Sequence, residues 1–254
     1  MVDRPFASLV SKLQPSVPGC PYATIVQYVR DSAIKTCERT LAWRHAEPPY
    51  ALTPGVPQYP YNKPASADVH AIFMATVNGS PLEHLTLDAA VALYPAWVDL
   101  YSNVPLDQLW SGTGAFNGET FNGEAFNGGA QFALTPEALE HAAEPRSMTQ
   151  LTPDQFIVLP APNDDRIYEL RLLYALKPKR NAEGIPQAIF DELETAIFHG
   201  ALQDLLVLPQ VPWSDRELAS YHAKQYVFYA GERRARANLG TVRGTLAVRF
   251  RPFA

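Results

Sequence analysis

Two runs of helical periodicity fill residues 185–239, interrupted once by Leu208-Pro209-Gln210-Val211-Pro212-Trp213, and they restrict the fold more than any other part of the sequence. In the first run Pro186 has the fixed φ that suits a first helical turn. Ile189, Leu193, Ile197, Ala201, Leu205 and Leu208 then recur at three- and four-residue steps. Phe190, Ala196, Phe198 and Leu202 make a second side apolar, and Gly200-Ala201 is small enough for another backbone to come close. This helix is therefore expected to be packed on more than one side. The two prolines forbid its continuation. Ser214-Asp215-Arg216-Glu217 has the form of a capping box and starts a second helix, in which Leu218, Tyr221, Gln225, Phe228, Arg234 and Ala235 appear in mixed register. Arg233, Arg234 and Arg236 fall in its last turns, the end of the helix dipole that favours cations, and Gly240 is the natural stop.

Upstream, Phe6, Leu9, Val10 and Leu13 fit a short helix ended by Pro15-Ser16-Val17-Pro18-Gly19. Pro21 then opens a long helix through Ile25, Val29, Ala33, Cys37, Leu41 and Ala42, expected to end near Trp43 or Arg44. After Pro48-Pro49 the pattern changes to short β segments with turn residues between them. These are the turn Leu52-Thr53-Pro54-Gly55, an edge strand at Gln58-Tyr59-Pro60-Tyr61, and a β-rich run over 69–77 that Asn78-Gly79 folds back into 82–87. A brief helix capped near Thr86 follows, then a hairpin of 148–151 with 155–159 and a longer strand over 166–176. The expected fold class is α+β: a bundle of three to four helices with an inserted antiparallel β-sheet or small barrel domain and an extended C-terminal tail. Residues 1–47 and 181–240 make the helical domain, 48–180 the β domain, and 241–254 a C-terminal arm.

Two features stand outside this plan. Phe116-Asn117-Gly118, Phe121-Asn122-Gly123 and Phe126-Asn127-Gly128 repeat at a five-residue period within an insertion at about 105–143. The repeat is either a surface excursion with its rings tucked against the β unit or a partner-binding loop. Beyond Gly240, Arg243, Arg249 and Arg251 alternate with apolar residues that include Phe250 and Phe253. This basic tail either returns as a strand to its own β unit or docks as an arm on a partner.

A chain of 254 residues, 47% hydrophobic and 19% charged, can bury a sizeable core, and a net charge of −5 argues against general nucleic-acid binding. Cys20 and Cys37 lie at the entry and within one helix, roughly 25 Å apart, too far to bridge. The start of the chain lacks an apolar signal region and no run approaches the roughly 20 apolar residues a membrane span needs, so a soluble, unprocessed protein is expected. His45, His70, His84, His141, His199 and His222 include no pair at zinc-motif spacing. Gly112-Thr113-Gly114-Ala115-Phe116-Asn117 lacks the last glycine of a dinucleotide loop, and neither a P-loop nor a GxSxG elbow occurs. Asp164 and Asp165 fit a solvated turn, Asp191, Glu192 and Glu194 a solvated helix face, and Asn78-Gly79-Ser80 a hairpin turn. No catalytic, cofactor-binding or metal-binding residue is assigned, and no reaction is expected.

In order along the chain, Cys20-Pro21 opening a helix to Glu38-Arg39-Thr40-Leu41-Ala42-Trp43, Leu52-Thr53-Pro54-Gly55, Leu159-Pro160-Ala161-Pro162, Lys177-Pro178, Gly200-Ala201-Leu202, Pro212-Trp213-Ser214 and the Arg-rich end resemble the head-to-tail adaptor (connector, neck) proteins of tailed bacteriophages. The resemblance implies a structural virion protein of the neck, assembled in the bacterial host cytoplasm. It implies a homo-oligomeric ring of about twelve copies between the portal protein and the tail tube or nozzle protein, with transient contact with passing DNA and none with a membrane. Arg233, Arg234, Arg236, Arg243, Arg249, Phe250, Arg251 and Phe253 would then dock on the portal, while Phe116, Phe121 and Phe126 would face the tail. Glu38, Asp191, Glu192 and Glu194 facing Arg30, Arg39 and Arg233 of a neighbour is one pairing such a ring could use. The competing readings are a different neck component, such as a tail completion or nozzle protein, and an enzyme or small-molecule binding module with His199, Tyr221 and Trp213 in its pocket.

Overall fold

The computed structural model describes residues 3–94 and 142–239. Phe116, Phe121 and Phe126 of the repeats, and Arg243, Arg249, Phe250, Arg251 and Phe253 of the tail, lie outside the described residues. In chain order the elements begin with β1 (Asp3–Pro5), α1 (Val10–Leu13) between two 3-10 turns, α2 (Tyr22–Thr40), β2 (Arg44–Ala46), β3 (Tyr50–Ala51) and β4 (Gln58–Pro60). They continue with β5 (Ala67–Val77), β6 (Ser80–Pro81), β7 (Glu83–His84), α3 (Leu87–Leu93), β8 (Ser147–Thr152) and β9 (Gln155–Leu159). The last are β10 (Glu169–Pro178), β11 (Gly184–Pro186), α4 (Gln187–Leu206) and α5 (Arg216–Leu239). The fold is mixed α+β, with five helices and several mainly antiparallel sheets among the described residues.

The chain divides into two compact units. Among the described residues, one contains 3–44, Pro64–Ala71 and 175–239, and it is the helical unit. Its start is pinned by an antiparallel pairing of β1 with β11, in which Pro5 faces Gly184. Only glycine fits there, because a Cβ on residue 184 would lie 2.4 Å from the Arg4 carbonyl oxygen. α2, α4 and α5 pack against one another, and Ile25, Val29, Ala33, Phe190, Leu193, Ile197, Ala201 and Leu205 are fully buried between them. α2 also buries three hydroxyl groups. Thr36 and Thr40 donate to the carbonyls one turn back, Ser32 O and Thr36 O, at 2.7 and 2.8 Å, so neither is an orphan in the core. Ser32 instead reaches across to α4 and donates to Ile197 O at 2.8 Å.

Several boundaries depart from the sequence reading for identifiable reasons. Pro21 and Pro186 are N-caps in extended conformation rather than first-turn residues. α2 stops at Thr40, before the expected Trp43 or Arg44, because Leu41 turns left-handed at φ 54°. The Ser214 to Glu217 capping box does not form. The Ser214 hydroxyl donates to Leu206 O at 3.3 Å, and Asp215 caps α5 by accepting from the Glu217 and Leu218 amides at 3.0 and 2.9 Å.

The second unit, His45–Lys63 with Ile72–Tyr174, is the sheet unit. β4-β9-β8-β7 form one sheet, with β8 and β9 the expected hairpin and β4 at the expected edge. β2-β10-β5-β6 form another, to which β3 adds against β10; of its two long strands, Ile72–Val77 of β5 and Glu169–Tyr174 of β10 fall in this unit. The turn after β5 forms as expected, with Asn78 and Gly79 at φ 50° and 82°. Its return strand does not last. β6 ends at Pro81, which has no amide to extend the ladder, and the chain crosses to pair β7 in parallel with β8. Among the described residues the sheets stay open and form no barrel, which corrects that alternative. The brief helix forms at its expected place: Thr86 Oγ1 caps α3 through the Ala89 amide at 3.2 Å, and Ala90 packs on Ile157 and Leu159.

Candidate functional site

The residues α5 turns toward the helical unit are the buried Ala219, His222 and Ala230 together with the half-buried Tyr226 and Tyr229, which lie against Gly200 and His199 of α4. Gly200 leaves room for the Tyr226 ring, which a Cβ there would meet at 3.1 to 3.2 Å. Four other apolar side chains of α5 are exposed. Tyr221 is 52% exposed, Phe228 64%, Val227 49% and Leu218 37%. Seven residues are two turns, so Tyr221 and Phe228 share one azimuth, with Leu218 and Gln225 beside them. Burying a side chain of this size is worth about 1.5–3 kcal/mol, and within the described residues these remain in water.

The arginines of the same helix are set at its far end. Arg234 and Arg236 are exposed, Arg236 lies 3.7 Å from Glu232 one turn back, and Arg233 is half-buried. The acidic residues expected to meet a neighbour's arginines are mostly engaged inside the subunit. Glu38 binds Lys177 at 2.8 Å, Asp191 binds Arg4 at 2.5 Å, and Glu194 binds both Arg4 and Lys12. Arg39 lies over the Tyr226 ring at 5.5 Å. The physical reason is the β1–β11 pairing, which carries Arg4 onto the acidic face of α4 from the other end of the chain. A cleft of about 420 Å³ in the helical unit is lined by Glu38, Asp68, Lys177, Lys179 and Arg180. Its acids and bases largely neutralise one another, through Lys177 with Glu38 and Lys179 with Asp68 at 3.8 Å.

Of the alternative pocket residues, His199 and Tyr221 come together around a residue that sequence reasoning did not place with them. His199 on α4 and His222 on α5 face each other with Nδ1 atoms 2.8 Å apart. Tyr229 stacks on His199 with ring centroids at 5.4 Å and planes 3° apart, and Tyr221 meets His222 edge-on at 5.2 Å. Burial lowers the pKa of both imidazoles, and for His199 the neighbouring His222 adds to it. Trp213 makes no ring contact here; its indole nitrogen is buried without a partner among the described residues. No group of three or more His, Cys, Asp or Glu among the described residues could hold a metal ion. Cys20 and Cys37 are both free and buried, and burial pushes the Cys37 thiol up to about 12, far from a reactive thiolate.

A second titratable cluster lies in the sheet unit. Glu47 is buried, its Oε1 accepts from the Asn62 amide at 2.9 Å, and Tyr174 donates to Asn62 O at 3.1 Å. Oε2 of Glu47 and the hydroxyls of Tyr50 and Tyr61 are buried without partners among the described residues. Burial raises the Glu47 pKa, against the opposing pull of the Asn62 hydrogen bond. A folded-state pKa above the unfolded one means the native state holds this proton more tightly, so stability falls as pH rises through the raised value. Glu47→Gln keeps an acceptor for Asn62, cannot ionise and offers donors to the tyrosines. It is expected to match the wild type in urea titrations near pH 4 and to exceed it at pH 7.5. Equal pH slopes for the two proteins would remove Glu47 from this role.

Among the described residues no helix is long and apolar enough to cross a membrane. No family model matches the sequence, and no curated protein matches it either.

Proposed function

We propose that this chain is a head-to-tail adaptor of a tailed bacteriophage, a structural protein that forms a ring between the portal and the tail, stabilises the DNA exit channel and catalyses no reaction. In this reading the helices form the bundle that meets the portal, and the sheet unit is an inserted domain directed to the tail tube or nozzle protein. The neck of the virion is its site of action, and assembly takes place in the host cytoplasm. The observation that carries the proposal is the outer face of α5, where Tyr221 and Phe228 are more than half exposed. A helix so arranged is suited to meeting a second surface. In a ring that surface belongs to the next copy, and the exposed Arg234 and Arg236 continue toward the portal.

Native mass spectrometry of the purified chain, alone and mixed with portal protein, tests this directly. A closed ring of about twelve copies is expected, at least on the portal. A monomer at micromolar concentration, unchanged by portal, would remove the proposal.

A further inference from the structure

We propose that His199 and His222 form a two-imidazole site for a transition-metal cation of the zinc, nickel or copper class. The inference rests on the helical unit alone and does not depend on the adaptor reading. α4 and α5 bring the two Nδ1 atoms to 2.8 Å, so in the absence of metal one ring donates its Nδ1 proton to the other. The ring planes are held by aromatic neighbours. Phe198 meets both imidazoles edge-on, at 5.3 and 6.2 Å, Tyr229 lies parallel to His199, and Tyr221 meets His222 edge-on at 5.2 Å. Pre-set rings of this kind lose little freedom when they ligate.

The donor set selects the ligand. Neither imidazole forms an ion pair with a carboxylate among the described residues, and two neutral ring nitrogens suit zinc, nickel or copper, whereas calcium and magnesium require oxygen. Burial favours the neutral form of both rings, which is the form that binds. A tetrahedral ion at about 2.0–2.1 Å from each nitrogen would set them roughly 3.3 Å apart, an opening of about half an ångström. His222 is 7% exposed, but His199 is half-buried and leaves an open side for water to complete the coordination. With both rings neutral, the shared proton moves to Nε2 of its own ring when the metal enters. No net proton is then released, and one is released for every imidazole that was protonated.

The full chain, stripped with a chelator and titrated with zinc, nickel or copper chloride alone, gives the test. At a hundredfold excess over Kd the metal is expected to raise the melting temperature of the wild type by about 5 °C at pH 7.5. The copper form should show an electron paramagnetic resonance spectrum with two coupled nitrogens. His199→Gln and His222→Gln should each abolish both signals while melting, in chelator, near the wild-type temperature. Should the buried His222 variant fail to fold, the less buried His199 variant decides. A shift retained in the variants, or no shift and no two-nitrogen spectrum in the wild type, overturns the assignment.

Discussion

Gly200→Val is expected to destabilise the helical unit by about 3 kcal/mol, more than any surface change in this chain. Gly200 is where α2 and α5 both close on α4. A Cβ there would stand 2.4 Å from Ser32 Oγ and 3.1 to 3.2 Å from the Tyr226 ring. The Ser32 hydroxyl cannot simply swing aside, because it is buried and donates to Ile197 O. Moving it leaves a buried polar group unsatisfied, at a cost of about 1–3 kcal/mol on top of the overpacking. Tyr226 is also constrained, since Arg39 lies over its ring. Gly200→Ala should cost less, because alanine recovers about 1 kcal/mol of helix propensity. Removing the hydroxyl makes room for that methyl, so Ser32→Ala should couple favourably with Gly200→Ala in a double-mutant cycle. Urea midpoints for the four proteins measure this. A valine variant as stable as the wild type would mean that the three helices do not meet at residue 200.

That contact is legible in the sequence because a glycine inside an apolar helical run costs helix stability, which close packing against a neighbouring helix offsets. The prolines flanking each run likewise fix the helices to within a few residues. Other features are hidden for physical reasons. The Ser-x-x-Glu signature at 214–217 is a local pattern, and it fails because Ser214 donates back to Leu206 O while Asp215, one residue on, accepts from the first amides of α5. The acidic face of α4 reads as solvated because the helix itself carries no lysine or arginine; its partners Arg4 and Lys12 arrive from more than 180 residues away. His199 and His222 have no motif spacing, yet they lie on adjacent helices, where register across the loop at 207–215 decides who meets whom. The sequence also marks Leu218, Tyr221 and Phe228 on one helix without saying which way they point. That depends on α4, against which His222, Tyr226 and Tyr229 pack, leaving Tyr221 and Phe228 on the outer side.

The outward direction makes the double variant Tyr221→Ser/Phe228→Ser the sharpest separation between assembly and folding. Both rings are more than half exposed, and their ring contacts are edge-on ones with their own chain neighbours His222 and Tyr229, so the isolated protein should unfold within about 0.5 kcal/mol of the wild type. At an interface the same two side chains are large, rigid apolar groups of the kind that dominate binding, each worth at least about 2 kcal/mol when truncated. Losing about 4 kcal/mol per contact weakens each subunit junction roughly a thousandfold. A closed ring multiplies that loss over every junction, so assembly should vanish at concentrations where the wild type is fully formed. Val227→Ser supplies the control: the residue is similarly exposed but lies about 100° around the helix from Phe228. Sedimentation velocity of the three proteins, alone and with portal, reads the outcome against melting temperatures taken on the same samples. Rings of unchanged stability in the double variant would place the subunit junction on another surface and leave the outer face of α5 without a part in assembly.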